Sequence, residues 1–133
     1  MKQAVAVVIR RRDNFLLIKR AKKGSAEDYW CPITGAVEPG ETQEQAVIRE
    51  AYEEMGITVT PMKKVWECPT QDQEYLLHWW SAELTDDAIT MNPDEVKEYK
   101  WVSYEQMKDI GKMFKADLDF FKAASKTRCN SDP

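Results

Sequence analysis

Histidine is almost absent from this chain: His78 is the single imidazole among 133 residues. Cysteine is scarce too, and Cys31, Cys68 and Cys129 lie too far apart for any Cys-x-x-Cys pair. That inventory argues against a structural zinc site of the usual Cys/His kind. An odd cysteine count also suits a reducing compartment, and Cys31 and Cys68 read as small buried hydrophobes. No stretch approaches the roughly 20 apolar residues of a membrane span. The apolar run Ala4 to Ile9 is too short for a signal-peptide core and closes with Arg10-Arg11-Arg12. A net charge of −4 opposes non-specific attraction to nucleic acid polymers and to anionic membranes. The expected setting is cytoplasmic, with neither a nucleic acid polymer nor a membrane as partner.

What the chain does contain is an ordinary globular balance, 43% hydrophobic and 32% charged. A chain of this length buries about two-thirds of its unfolded surface, enough for a sizeable core. A single domain over residues 1–125 is expected, with 126–133 as a polar, fraying tail. Residues 3–10 and 14–20 read as strands joined by a hairpin turn at Arg11-Arg12-Asp13. Residues 29–37 read as a short strand interrupted by Pro32 and Gly35. Thr42-Gln43-Glu44-Gln45 is a capping box, and Gly56 stands where a cap glycine ends a helix. Strands follow within 57–67, 75–84 and 97–102. A second capping box at Ser103-Gln106 opens a helix to about Ile110. Ala116 to Ser125 forms the last helix, with Leu118, Phe121 and Ala124 on one side. Strands, a helix, more strands and terminal helices imply an α/β fold with a mixed sheet.

The chemistry concentrates on the first helix. On a wheel of about 100° per residue, Val47, Ile48, Ala51, Tyr52 and Met55 share the side expected to pack on the sheet. Glu50, Glu53 and Glu54 share another face. Like charges at those spacings cost about 0.2–0.5 kcal/mol each, and the C-terminal turns of a helix favour cations. A helix that tolerates this conflict is expected to serve a site. Carboxylate oxygens are the ligands that Mg²⁺ or Mn²⁺ prefer.

The surroundings sharpen that reading. Gly35 is followed by five residues and Glu41. Seven residues later comes Arg49-Glu50-Ala51-Tyr52-Glu53-Glu54-Met55-Gly56-Ile57. This resembles the Nudix box at each of its fixed positions, with Ala51 and Ile57 in the apolar slots. The chain is thus similar to small MutT-like members of the Nudix hydrolase family. The resemblance implies a Nudix-type α/β/α sandwich with a mixed β-sheet. It implies pyrophosphohydrolase action on a nucleoside triphosphate or a nucleoside diphosphate derivative, a small-molecule partner, with Mg²⁺ or Mn²⁺ as cofactor. By motif position, Glu50, Glu53 and Glu54 would be metal ligands, with Glu50 or Glu53 the catalytic base. Arg49 would orient a carboxylate, with Glu41 as its partner. Gly35 would let the loop backbone approach the metal, and Gly56 completes the motif. A non-catalytic, nucleotide-sensing Nudix domain is the alternative, although such domains usually lose box glutamates and this chain keeps them. One departure stands out: the segment before the box is Pro32-Ile33-Thr34-Gly35, where many members carry a doubled glycine or a lysine-glycine.

Outside the box, the resemblance gives Arg20 a contact with substrate phosphate, with Lys19 beside it. It gives Glu95, six residues before Trp101, a role as metal ligand or base, and leaves Glu98 as a surface charge. Trp79 and Trp80 should face opposite sides of the sheet, one in the core and the other free to stack on a base. Trp101 is expected in the core, and His78 as a satisfied strand residue.

Overall fold

The computed structural model describes residues 1–127. Its elements run β1 (Lys2–Val8), β2 (Arg10–Arg11), β3 (Asn14–Arg20), β4 (Trp30–Cys31), β5 (Ile33–Ala36), α1 (Gln43–Met55), β6 (Thr58–Pro69), β7 (Tyr75–Asp86), β8 (Val96–Val102), α2 (Tyr104–Met107) and α3 (Lys115–Ser125). One sheet has the order β5-β1-β7-β6, with β1 parallel to β7 and antiparallel to β5. In the second, β3 pairs with β2, β4 and β8, all antiparallel.

The inner strands are apolar on both faces because helices cover both faces. Val5, Val7, Leu16 and Ile18 point into a core shared with Val47, Ala51 and Met55 of α1. Ala4, Ala6, Phe15 and Leu17 point the other way, into a core closed by Met107 of α2 and Phe121 of α3. Phe121 lies 4.9 Å from Phe15, and Phe120 stacks on Trp79 at 4.3 Å. This is the α/β/α sandwich with a mixed sheet expected from the sequence.

Helix α1 keeps its expected ends. Thr42 accepts from the Gln45 amide while the Gln45 side chain accepts from the Thr42 amide. Gly56 takes the left-handed conformation with φ 67° and donates to Tyr52 O at 2.9 Å. The packing face differs from the wheel. Ile48 and Tyr52 are 43% and 66% exposed, whereas Ala46 and Glu54 are buried with Val47, Ala51 and Met55. The buried stripe of α1 is rotated relative to the one apolarity alone implied, and an acid lies within it.

Three further expectations are corrected. Residues 3–10 and 14–20 do not form one hairpin. Only Arg10 and Arg11 pair with Phe15 and Asn14, while β1 belongs to the other sheet. Helix α2 ends at Met107 rather than Ile110. Trp101 is half-buried, with the Arg11 guanidinium over its ring at 4.2 Å. Trp79 and Trp80 do face opposite cores, and Trp80 donates to Gln43 Oε1 at 2.9 Å. His78 is buried, with Nε2 2.6 Å from Gln3 Oε1. The described residues include only the first two positions of the expected tail. Residues 128–133, Cys129 among them, lie outside.

A methyl group at position 56 would carry a left-handed residue penalty of about 1–2 kcal/mol and would meet Thr90 at 3.1 Å. Gly56→Ala is therefore expected to lower the unfolding free energy from urea titration by at least that amount, seen as a lower urea midpoint. An unchanged midpoint would contradict the cap geometry.

Candidate active site

The site begins with Arg49. Its Nε and Nη2 donate to the two oxygens of Glu41 at 2.7 and 2.9 Å. Nη1 donates to Glu50 at 2.6 Å and to Glu53 at 3.1 Å, and Nη2 also reaches Ala36 O at 2.8 Å. One guanidinium thus ties α1 to both the end of β5 and the loop before the helix. Its side chain is only 22% exposed, so these charge-assisted bonds are poorly screened. Glu41 is the partner expected from the motif. The hydrogen bonds from Arg49 hold its carboxyl below the usual glutamate range.

Gly35 follows from the same packing. A Cβ built there would collide with the Glu50 carboxylate, whose carbon would lie 2.0 Å away. The strand passes so close to α1 that the carboxylate fills the space a side chain would need. The observed reason for this glycine is therefore room for Glu50.

The box glutamates do not converge as a trio. Glu53 points outward, with its side chain 53% exposed and bonded to Arg49. Glu50 is 13% exposed beside Gly35, and Glu54 is buried. Burial pushes the Glu54 carboxyl well above the usual range. The adjacent Glu50 and then Glu95 push the same way, while Arg20 opposes them. Among the described residues no three His, Cys, Asp or Glu side chains gather closely enough to enclose an ion by themselves. The helical wheel placed the three acids on one face, but Glu53 and Glu54 are successive residues about 100° apart. Glu50 lies between them, sharing Arg49 Nη1 with Glu53 on its exposed side and adjoining Glu54 on its buried side.

Glu95 reaches the site through backbone bonds. The amides of Thr90 and Asn92 donate to Met55 O and Glu54 O at 2.8 and 2.9 Å, satisfying carbonyls that the end of α1 leaves free. That loop carries Glu95 towards Glu54, and Ala21 N donates to Glu95 O at 3.0 Å. The Glu95 carboxylate has no hydrogen bond or ion pair among the described residues. Glu98 is exposed near Lys100.

Arg20, at the end of β3, donates from Nη1 to Thr34 Oγ1 at 3.2 Å. Thr34 stands where many family members have glycine, so the departure from the usual loop supplies an anchor for Arg20. The Arg20 Nε is buried without a partner among the described residues. Lys19 makes no hydrogen bond or ion pair there, and a register irregularity in the pairing of β3 with β8 falls between it and Arg20.

One residue near Arg20 had no sequence signal. Asp117, in the first turn of α3, is 6% exposed, and burial raises its carboxyl to about 7 against an opposing pull from Arg20. An aspartate in a first helical turn reads as an ordinary dipole partner. Only the packing of α3 against the sheet makes it unusual. Cys31, also nearby, is fully buried, and burial pushes its thiol to about 12, which leaves it protonated and unreactive.

A mixed sheet between helices, with a buried glutamate pair set against a glycine and locked by an arginine, defines an α/β/α hydrolase domain. The chain belongs to the Nudix family, whose model, described as NUDIX domain, matches residues 1–124. It is 34% identical over 103 residues to the NAD-capped RNA hydrolase NudC of Salmonella heidelberg (strain SL476), and equally to that of Salmonella typhi. The match covers 77% of this chain and 39% of each relative, so the chain spans about two-fifths of their length. Among solved structures, it is similar to the MutT protein from Methanosarcina mazei Go1, with TM-score 0.79 and 25% identity over 94% of this chain and 93% of that one. It is also similar to a C. elegans Ap4A hydrolase, with TM-score 0.77 and 26% identity over 92% and 96% of the two chains.

Two outcomes are expected from this geometry. Gly35→Ala should displace the Glu50 carboxylate and cut turnover more than 10²-fold, the scale of a misplaced catalytic group, while the protein remains folded by circular dichroism. Glu41→Gln should destabilise the protein at neutral pH. Because the folded Glu41 value lies below the unfolded one, its contribution is present above about pH 4.5 and is lost as pH falls through the folded value. Urea unfolding of both proteins at pH 7 and pH 3 should give a difference that shrinks at the lower pH.

Proposed function

We propose that the chain hydrolyses a phosphoric anhydride linkage in a nucleoside triphosphate or nucleoside diphosphate derivative, with Mg²⁺ or Mn²⁺ as cofactor. The observation that carries this reading is the Glu50–Glu54 pair. Two acids are packed together at the end of α1, and Glu54 has no cation bonded to it. Removing a buried carboxylate from water is costly unless it is paired.

A hard divalent cation fits that donor set. Mg²⁺ is typically held by one or two carboxylates, with water and substrate phosphates completing the shell. Glu50 and Glu54 would hold it, with Glu53 at the exposed rim and the Gly35 backbone alongside. Bound there, it would neutralise developing charge on the phosphates and lower the pKa of a coordinated water. Arg49 holds Glu50 in place through its hydrogen bond. Arg20, anchored on Thr34, is placed to meet a phosphate oxygen, and Lys19 is a weaker candidate. Of the candidate bases, Glu50 and Glu53 are both engaged by Arg49. Glu95 is the carboxylate left free to accept a proton from the attacking water.

Relatives named for NAD-capped RNA and for Ap4A support a nucleotide derivative as substrate. The first keeps a capped RNA end within the class. The charge of −4 bears on non-specific polymer binding rather than on recognition of an RNA end. No helix among the described residues is long and apolar enough to cross a membrane.

The test is phosphate release from a nucleotide panel with and without Mg²⁺. Turnover should require the metal, and Glu54→Gln should lower it at least about 10²-fold. Mg²⁺ should raise the melting temperature of the unmodified protein but not of Glu54→Gln. Nucleotide binding without turnover would identify a sensor instead. Glu95→Gln should reduce turnover while leaving the Mg²⁺ stabilisation intact. Loss of that stabilisation would make Glu95 a ligand.

A further inference from the structure

We propose that Thr34 is a positioning residue, its hydroxyl holding the Arg20 guanidinium off the neighbouring carboxylates so that Arg20 keeps its charge and its N–H groups for substrate phosphate. The inference rests on the reading of Arg20 given above and adds the residue that aims it. The site holds its two arginines in opposite ways. Arg49 is surrounded by acids, with Glu38, Glu41, Glu50 and Glu53 all within 3.1 Å of its nitrogens. Arg20 makes a single side-chain hydrogen bond among the described residues, from Nη1 to Thr34 Oγ1 at 3.2 Å. A hydroxyl is a neutral acceptor, so it fixes the guanidinium without neutralising it. A guanidinium has five N–H donors, and one bond leaves most of them for a ligand.

Electrostatics alone would choose a different arrangement. Glu54 and Asp117 both lie near enough to feel the charge of Arg20. A guanidinium bonded to a carboxylate is held more strongly than one bonded to a neutral hydroxyl. Arg20 nevertheless pairs with neither acid, because it is constrained at both ends. At the base of the side chain, Arg20 N donates to Tyr29 O at 2.9 Å, Asp28 N to Arg20 O at 3.0 Å and Ala21 N to Glu95 O at 3.0 Å. At the tip stands Thr34. In β5, Thr34 pairs with Ala6 and Gly35 with Val5, so these two positions face opposite layers of the sandwich. Gly35 faces Glu50, whose carboxylate fills the space of a side chain there. Thr34 faces the other way, and its hydroxyl holds the tip of Arg20 on the side of β5 away from Glu50. The β-branch of threonine restricts χ1, which fixes the direction of the acceptor. A glycine, common at this position in the family, offers no side-chain acceptor at all.

The test is Thr34→Val, which keeps the shape and removes the acceptor, beside Thr34→Ser, which keeps the acceptor. Thr34→Val is also made in an Arg20→Met background. With Mg²⁺, kcat and KM are measured on whichever of ATP, GTP, CTP, UTP, NADH and diadenosine tetraphosphate the unmodified protein cleaves fastest. Independently of turnover, melting temperatures are read with and without inorganic pyrophosphate, in the presence and absence of Mg²⁺. Thr34→Val should raise KM about 10-fold, leave kcat within about 3-fold and shrink the rise in melting temperature caused by pyrophosphate. Thr34→Ser should keep KM within about 3-fold of the unmodified protein. In the Arg20→Met background Thr34→Val should add no further change, because a positioning residue then has nothing to position. An unchanged KM in Thr34→Val would overturn the proposal. So would an effect of the same size without Arg20, a serine variant as impaired as the valine one, or a loss confined to the melting temperature of the unliganded protein, the mark of a structural residue. If the unmodified protein cleaves none of these nucleotides, the hydrolase reading itself fails and pyrophosphate decides the role of Thr34. In that case a pyrophosphate response that is absent, or unaltered by Thr34→Val, overturns the proposal, and one that Thr34→Val reduces and Thr34→Ser preserves upholds it.

Discussion

The site depends on one guanidinium. Arg49 binds Glu41 with two nitrogens, Glu50 with a third contact and the carbonyl of Ala36 with another. Isolated surface ion pairs contribute little, but this one is shielded, bidentate and shared among elements. Its effect is as much on what it leaves out as on what it holds. Positive charge is drawn to the loop side of α1, and Glu54, on the core side, is left beside Glu50 with no cation bonded to it. The proposed cation would answer that asymmetry.

The backbone supplies the other half of the arrangement. The last carbonyls of α1 need donors, and the amides of Thr90 and Asn92 provide them. A structural requirement of any helix end therefore fixes the loop that carries Glu95. The close approach of β5 to α1 works in the same way, because it is tolerable only with glycine at position 35. Neither contact is chemistry in itself, yet each constrains where a carboxylate lies.

Around Arg20 the charges are balanced across the sheet. Glu54 on α1 lies to one side and Asp117 on α3 to the other, with the buried Cys31 thiol influenced by all three. The two helices belong to opposite layers of the sandwich, and the end of β3 is where both come within reach of a single cation.

Much of this was legible in the amino-acid sequence, because it is local. Capping boxes and the cap glycine act within a few residues, so both ends of α1 were correctly read. The spacing from Gly35 to Ile57 carried the Arg49–Glu41 pairing and the family. Alternation placed Trp79 and Trp80 on opposite faces. What the sequence could not decide depends on which surfaces meet. Periodicity treats every apolar residue alike, so Ile48 and Tyr52 were expected in the core. The buried face is rotated, and it includes Ala46 and Glu54 instead. The division of the three box glutamates into a buried one, a half-buried one and an exposed one follows from that rotation. Asp117 is the extreme case. Its neighbours in the chain are unremarkable, and its burial exists only because α3 folds back onto strands nearly a hundred residues earlier. Local hydrogen bonding is written in adjacent residues, whereas burial, and the charge effects that come with it, is a property of the assembled layers.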